Sequence, residues 1–166
     1  IALNDCQPGD ILAVTIEKIT LDSQGAVELY PGWGPLGSRV EKAVTKIVPI
    51  ADGMVKFNNI SLPVRPMIGV IGVAPEGEGV PCGSPGYHGG NMDTVDIVQG
   101  SKIYFPVFVS GANLSLGDVH AVMGDGEVCG TGVEIRAEII IKIDVIKNKC
   151  LTHPVLESKD NYYLIN

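Results

Sequence analysis

Residues 133–145 read Val-Glu-Ile-Arg-Ala-Glu-Ile-Ile-Ile-Lys-Ile-Asp-Val, which is the clearest secondary-structure signal in the chain. Apolar side chains occupy every odd-numbered position, and charged side chains occupy every even-numbered position except Ile140. Successive side chains of an extended strand point to opposite faces of a sheet, so the alternation predicts a long strand with one buried face. Ile140 and the following Ile146 interrupt the polar face and indicate contact with a second sheet.

Shorter apolar runs separated by Gly and Pro turns predict further strands along the chain. They are expected at residues 11–21, 26–30, 55–62, 67–74, 103–109, 114–116, 119–123 and 162–165. A turn at 22–25 is expected to separate the first two, and Asn58-Asn59 predicts a bend in the third. Helical spacing of apolar residues occurs at 38–47, which predicts one short helix.

The run 67–74 reads Met-Ile-Gly-Val-Ile-Gly-Val-Ala and lies between two prolines. A continuous apolar run of this length predicts a strand buried on both faces. Gly69 and Gly72 inside it mark positions where another backbone comes close.

Composition points to the same fold class. The chain has 21 Gly and 11 Pro among 166 residues, with 45% hydrophobic and 5% aromatic residues. Frequent turns and scarce helical patterning predict a mainly β protein, an antiparallel β-sandwich or barrel-like assembly with little helix. We expect a single β-rich domain over residues 1–166, with an N-terminal part (1–62), a motif-bearing core (63–147) and a tail (148–166).

Charge and cysteine usage limit the partners and the compartment. A formal net charge of -7 argues against nucleic acid, because phosphate binding needs a basic surface. No apolar run approaches the length of a membrane span, so no membrane partner is expected. The four cysteines lack Cys-x-x-Cys spacing, and we interpret them as reduced thiols of a cytoplasmic protein.

Ionisable residues concentrate in glycine-rich turns between residues 85 and 134. Residues two apart on a strand share a face, which pairs Asp118 with His120, Asn91 with Asp93, and Asp125 with Glu127. Carboxylate, imidazole and amide groups at strand ends form a ligand set suited to zinc or another divalent ion. The sequence therefore predicts a metal site in this region.

The same region resembles the acetamidase/formamidase family, which are metal-dependent hydrolases of short-chain amides. The resemblance is carried by His88-Gly-Gly-Asn-Met-Asp93, Pro106-Val-Phe-Val-Ser-Gly-Ala112, Leu116-Gly-Asp-Val-His-Ala121 and Gly124-Asp-Gly-Glu-Val-Cys-Gly-Thr131. It implies a mainly β fold, a formamide or acetamide substrate and, with exposed sheet edges, a homo-oligomer. Family members are longer at both ends, so we interpret the chain as the central part of a longer polypeptide.

The chemical requirements of amide hydrolysis suggest a role for each of these residues, which we give as hypotheses. It needs a nucleophile, stabilisation of the developing oxyanion and a proton for the leaving nitrogen. His88, Asp118 and His120 are expected to hold the metal, with Asp93 as fourth ligand or as a group orienting a histidine. The catalytic candidates are Glu127 as general base and acid, Asn91 as an oxyanion donor, and Asp125 as a hydrogen-bonded supporting group.

Other interpretations of the same residues stay open. Asp93, Asp118 and Asp125 are ordinary turn residues beside glycines, and Glu134 fits either a surface charge or a pocket acid. Cys82 and Cys129 allow a thiolate nucleophile activated by histidine, and Cys82 lies six residues before His88. Calcium bound by oxygen ligands is an alternative to zinc. A hydrolase of cyclic amides or esters and a non-catalytic β-module that binds a small ligand or structural calcium complete the alternatives.

Overall fold

A computed structural model describes residues 1–165, which form twelve β-strands and one short 3-10 helix. The strands are β1 (Ile11–Leu29), β2 (Val44–Ala51), β3 (Met54–Phe57), β4 (Ile60–Pro63), β5 (Met67–Gly72), β6 (Pro85–Gly86), β7 (Gly89–Asn91), β8 (Lys102–Pro106), β9 (Ser115–His120), β10 (Glu134–Ile146), β11 (Val155–Glu157) and β12 (Tyr162–Leu164), and the helix η1 spans Gly37–Arg39. Every strand pairing is antiparallel. The prediction of a mainly β, antiparallel protein with little helix is confirmed. Asn166, the last residue of the predicted tail, lies outside the described residues.

The alternating stretch at 133–145 forms β10, as its pattern predicts, and β10 pairs with β1 along nearly its whole length. The register runs from Ile11 opposite Ile146 to Ala26 opposite Glu134. The odd-numbered side chains of β10 pack against the core, whereas Ile140 is exposed. The prediction that Ile140 contacts a second sheet is therefore wrong for the described residues.

The sheet has the order β12-β11-β8-β1-β10-β9-β5-β7-β6 and remains open at both ends. Side chains from both halves of this order meet in one core, including Leu12, Val14, Phe105, Ile68 and Ile71. Burying these apolar side chains supplies the main driving force for folding. The two halves thus face each other across a shared core.

Strand β1 is one continuous element, so the predicted turn at 22–25 is wrong. The register with β10 shifts between Leu21 and Gly25, which is the signature of a β-bulge. Polar residues at 22–24 mark this irregularity. A Cβ on Gly25 would lie 2.7 Å from the backbone oxygen of Glu134, so only glycine fits at the bulge.

The helix predicted at 38–47 is also wrong. Only residues 37–39 are helical, and Val44–Ala51 instead forms β2, paired with the second half of β1. Val44, Thr45, Ile47 and Val48 are β-branched, and such residues fit a pleated strand better than a helix. Tertiary pairing with β1 therefore overrides the helical spacing.

The predicted strand at 55–62 is a hairpin of β3 and β4. Phe57 pairs with Ile60, which leaves Asn58 and Asn59 as a two-residue turn. Asn58 has φ 54°, a left-handed conformation that Asn tolerates better than most residues. The expected bend is therefore a complete chain reversal.

Strand β5 is buried as its composition predicts, and its glycines meet other backbones. A Cβ on Gly72 would lie 2.6 Å from the backbone oxygen of His88. Strand β5 pairs with β9 on one side and with β7 on the other. It therefore holds the two strands that contain the sequence motifs next to each other in the sheet. Strand β9 joins the two predicted segments 114–116 and 119–123 into one element.

The tail returns to the sheet. The predicted edge strand at 162–165 is confirmed as β12, which pairs with β11, a strand that the sequence did not predict. Tyr104 on β8 donates a hydrogen bond of 2.5 Å to Glu157 on β11. Among residues 1–165, no helix has the length and apolar character needed to cross a bilayer.

Gly72→Ala tests the close approach of β5 and β7. We expect it to lower the free energy of unfolding by about 1–3 kcal/mol, because the new methyl group overlaps the β7 backbone. Gly117→Ala on neighbouring β9 is the matched control, since a Cβ there meets nothing within 4 Å. Urea unfolding should leave the control within about 1 kcal/mol of wild type. Equal losses in both variants would contradict this account.

Asp10 and Lys147 join the start of β1 to the end of β10. Asp10 accepts hydrogen bonds from Lys147 Nζ at 2.8 Å and from the Gln7 backbone N–H at 2.9 Å. The bond from Lys147, followed by that from Gln7, lowers the pKa of Asp10 below 3.8. A lowered folded-state pKa contributes stability that is present above pH 3.8 and is lost as the pH falls through the folded-state value.

We therefore expect Lys147→Gln to destabilise the protein near neutral pH and to lose this effect on acidification. Unfolding free energies of wild type and variant, measured from about pH 7 down to about pH 3, should differ less at the acid end than at neutral pH. Lys149→Gln is the control, because exposed Lys149 forms no ion pair among the described residues. A destabilisation that does not change with pH would contradict a role for the Asp10 charge.

Candidate functional site

Three neighbouring strands bring the candidate metal site together at His120. On β9, His120 pairs with Met67 of β5 on one side and with Glu134 of β10 on the other. Its side chain is only 1% exposed. The imidazole is therefore fixed by strand pairing on both sides.

Acidic side chains surround this imidazole. His120 Nε2 lies 3.2 Å from Glu134 Oε1 and 3.6 Å from Asp118 Oδ1. Potential ligand atoms of Asp93, Asp118 and His120 lie within 4.8 Å of one another, and so do those of His120, Glu127 and Glu134. We call these five residues the acidic cluster.

Three of the acids have left-handed backbone conformations. The φ angles are 39° for Asp93, 55° for Asp118 and 40° for Glu127. Non-glycine residues adopt this region at an energetic cost, and such residues concentrate at functional sites. The backbone of the cluster is thus held in a geometry that aims three carboxylates at one place.

Two glycines make room for the acidic cluster. A Cβ on Gly69 would lie 2.6 Å from Asp93 Oδ1 and 2.9 Å from Asp118 Oδ2. A Cβ on Gly132 would lie 2.8 Å from Cγ of His120. The Gly132 backbone N–H also donates a 2.9 Å hydrogen bond to Glu134 Oε1, which orients that carboxylate.

The surroundings shift the proton affinities of the cluster. Burial alone would lower the pKa of His120, but close contact with the carboxylates of Asp118 and Glu134 and their charges outweigh burial and raise the pKa to about 10. Burial, followed by repulsion from Asp93, raises the pKa of Glu127 to about 7. Shifts of this kind are typical of functional sites.

The two aspartates shift in opposite directions. Burial is the main cause that raises the pKa of Asp93, and the negative charge of Asp118 adds to it. The close contact with the His120 imidazole is the main cause that lowers the pKa of Asp118. Asp118 is therefore the carboxylate that most directly balances the imidazolium.

The donor atoms of the cluster fit a divalent cation. Asp93 Oδ1 and the nearby Asn91 Oδ1 are buried and have no hydrogen-bond partner among the described residues. Unpartnered buried acceptors are costly, and a cation satisfies them. Four carboxylates around one imidazole also leave excess negative charge. A possible metal site of acidic and histidine ligands is therefore present.

The structure brings most of the predicted site residues together. Asp93, Asp118, His120 and Glu127 belong to the acidic cluster. Asn91 ends β7 two residues before Asp93, and its side chain is close enough to oppose the rise in the pKa of Asp93. Asp118 and His120 both lie on β9, whereas Asp93 lies beyond the end of β7 with φ 39°, so spacing along a strand does not account for its position near Asn91.

Two predicted residues do not join the acidic cluster. His88 lies in the turn between β6 and β7, beside the Gly72 end of β5, whereas His120 lies at the Met67 end. Asp125 lies on an exposed turn, although Glu127 two residues later is partly buried. Residues 124–127 are a turn and not a strand, so spacing by two does not place both side chains on one face.

Glu134 is the cluster residue that sequence reasoning did not choose. It opens β10, and its alternation pattern fits a surface charge equally well. Its role depends on the register that sets it directly opposite His120. Pairing between β9 and β10 is a long-range contact that neither strand's own sequence reveals.

The acidic cluster lies in a segment that matches a known family. The family model described as "Acetamidase/Formamidase family" matches residues 77–162, which is just over half of the 166-residue chain. The chain belongs to the acetamidase/formamidase family. All five residues of the acidic cluster fall within the matched segment.

Relatives of known name agree with the family assignment. A formamidase of Methylophilus methylotrophus is 42% identical over 73 residues, which cover 43% of this chain and 18% of that protein. A crystal structure of a predicted acetamidase/formamidase from Thermoanaerobacter tengcongensis has a TM-score of 0.94 at 48% identity, covering 96% of this chain and 53% of that one.

An acetamidase from Bacillus halodurans has a TM-score of 0.89 at 44% identity, and the match covers 93% of this chain and 52% of that one. The chain thus spans about half the length of these two solved family members. The fold described above is the fold of the matched part of these two proteins.

Metal titration tests the composition of the cluster. We expect Asp118→Asn and His120→Gln to weaken zinc binding at least about tenfold, because each removes a ligand atom at the centre of the cluster. Calorimetry on purified, metal-stripped protein measures this affinity.

Asp125→Asn and His88→Gln are the matched controls, since neither residue joins the acidic cluster. Both should bind zinc with wild-type affinity. Loss of binding in His88→Gln would instead support the metal shell predicted from the sequence.

Proposed function

We propose that this chain carries the reaction centre of an amidohydrolase that cleaves the C–N bond of short linear carboxamides, formamide and acetamide, to carboxylate and ammonia. The observation that carries the proposal is the acidic cluster, which lies inside the segment that matches the acetamidase/formamidase family. Relatives named formamidase and acetamidase support the substrate class.

Asp93, Asp118, His120 and Glu134 are proposed to hold a divalent cation, with zinc as the first candidate because an imidazole takes part. When bound, such a cation lowers the pKa of water and polarises a carbonyl group. Calcium is the alternative, since carboxylate oxygens dominate the ligand set.

Glu127 is proposed to move the proton. It enters the cluster from the turn after β9, whereas Asp118, His120 and Glu134 lie on paired strands. A carboxylate at this position can take a proton from the attacking water and return it to the leaving nitrogen, which departs as ammonia. Its partial burial keeps bulk water from competing for that proton.

Asn91 is proposed to stabilise the carbonyl oxygen as negative charge develops on it. The side-chain amide lies beside Asp93 at the end of β7. An amide N–H directed at the developing oxyanion strengthens as the transition state forms. Asp125, exposed on its turn, is proposed to act only by supporting the loop that carries Glu127.

Compartment and assembly are further parts of the proposal. Free cysteines at four positions suit a reducing cytoplasm. The sheet ends in β12 and β6, whose unpaired edges suit pairing between copies in a homo-oligomer.

A second mechanism is favoured by one observation. Cys82 and His88 line the same cavity, so a thiolate assisted by that imidazole is an alternative nucleophile. In this mechanism the sulfur attacks the amide carbon, ammonia leaves, and water then hydrolyses the thioester.

Ammonia release from formamide and acetamide tests the proposal. We expect release that thorough chelation abolishes and zinc restores, because the cluster residues cannot activate water without a cation. Glu127→Gln should lower kcat at least about a hundredfold with little change in zinc affinity. Cys82→Ser is the matched control and should keep wild-type activity.

Each outcome separates the two mechanisms. Release that survives metal removal and disappears in Cys82→Ser would establish the thiolate route. Absence of release with every amide and metal would contradict the amidohydrolase proposal and leave a binding module.

A further inference from the structure

His88 is a buried titratable residue that the proposed metal-dependent mechanism does not use. It is 7% exposed, and its Nδ1 has no hydrogen-bond partner among the described residues. A buried polar atom without a hydrogen-bond partner destabilises the folded protein. The position of this histidine therefore calls for a binding partner.

Glycines lie next to both nitrogens of the His88 ring. A Cβ on Gly86 would lie 3.2 Å from His88 Nδ1, and a Cβ on Gly90 would lie 3.1 Å from His88 Nε2. Gly90 also has φ +94°, which side chains rarely adopt. Two glycines thus flank both ring nitrogens, so no neighbouring Cβ crowds either nitrogen.

His88 lines a cavity of about 190 Å³ under the loop at 79–82. Val73, Val80 and Pro81 give it apolar walls, and Asn113 and Ser115 contribute polar groups. None of the described side chains that line it is ionic. The cavity therefore suits an uncharged ligand that has a small apolar part.

The cavity is separate from the acidic cluster. Gly72 of β5 pairs with Gly89, next to His88, whereas Met67 of the same strand pairs with His120. Five residues of extended strand span about 17 Å. None of the five residues of the acidic cluster lines the cavity, so a ligand bound beside His88 would occupy a different place from the acidic cluster.

We propose that this cavity, between Cys82 and His88, binds a small uncharged carboxamide as a second site. A neutral imidazole offers one N–H donor and one acceptor nitrogen, and a carboxamide offers the complementary C=O and N–H groups. A short alkyl group would pack against Val73 and Val80. Burial lowers the pKa of His88, which agrees with a neutral ring. The choice of ligand rests on the proposed function, but the site itself does not.

Histidine NMR tests the second site directly, with acetamide as the ligand. The chain has three histidines, so each ring signal can be assigned with one His→Gln variant. The titration uses zinc-loaded Glu127→Gln protein, in which hydrolysis does not consume the amide. We expect saturable shifts of the His88 ring signals and none at His153.

A cavity-filling variant checks the location. Val80→Trp should raise the half-saturating acetamide concentration at least about tenfold. Val44→Trp is the matched control, because both valines are partly exposed, 37% for Val80 and 46% for Val44, and Val44 lies on β2. Equal effects of the two variants would overturn the assignment.

Thiol protection gives a second readout that needs no variant. Cys82 and Cys150 are both exposed, and only Cys82 lines the cavity. Saturating acetamide should slow alkylation of Cys82 by N-ethylmaleimide and leave Cys150 unchanged, as followed by peptide mass spectrometry.

The results distinguish this inference from the proposed function. Acetamide shifts confined to His120, with unchanged alkylation of Cys82, would overturn the second site and leave the amidohydrolase proposal intact. Saturable binding at His88 in a protein that releases no ammonia would support the second site and contradict the proposed activity. Linear, unsaturated shifts at His88 would overturn the second site.

Discussion

The close approach of other backbones and side chains to β5 is the constraint on which the rest depends. Both the acidic cluster and the turn that carries His88 require it. Gly69 and Gly72 lie on one strand, and a methyl group at either position would overlap atoms of its neighbours. Room at Gly69 admits the carboxylates of Asp93 and Asp118. Room at Gly72 lets the turn that carries His88 lie against the sheet. A strand of larger residues would keep the hydrophobic core and lose both features.

Charge imbalance is the second constraint, and it explains why the acidic cluster suits a cation. A protonated His120 can neutralise one carboxylate, yet four carboxylates converge on it. Carboxylates withdrawn from water without partners are costly, so they either bind protons or bind a cation. The raised pKa values of Asp93 and Glu127 show that these two carboxylates bind protons more readily than usual. A divalent cation would balance the same negative charge without protonation.

Local pattern predicted the parts of the molecule that depend on local geometry. The alternation at 133–145 predicted β10, and spacing by two correctly paired Asp118 with His120 on β9. The same rule failed for Asp125, because residues in a turn do not alternate between faces. Helical spacing at 38–47 failed because pairing with β1 decides the conformation of that segment.

Long-range register decided what the sequence could not reveal. His88 and His120 were grouped because they lie in one motif-rich region, but β5 holds them at opposite ends. Glu134 reached the acidic cluster through its pairing with His120, although it lies outside the motif that ends at Thr131. Two paired strands, β9 and β10, and the segments that follow β7 and β9 therefore build the cluster. A substitution that shifted β10 by one residue would turn the Glu134 side chain to the other face and leave His120 with one fewer carboxylate, without altering any local motif.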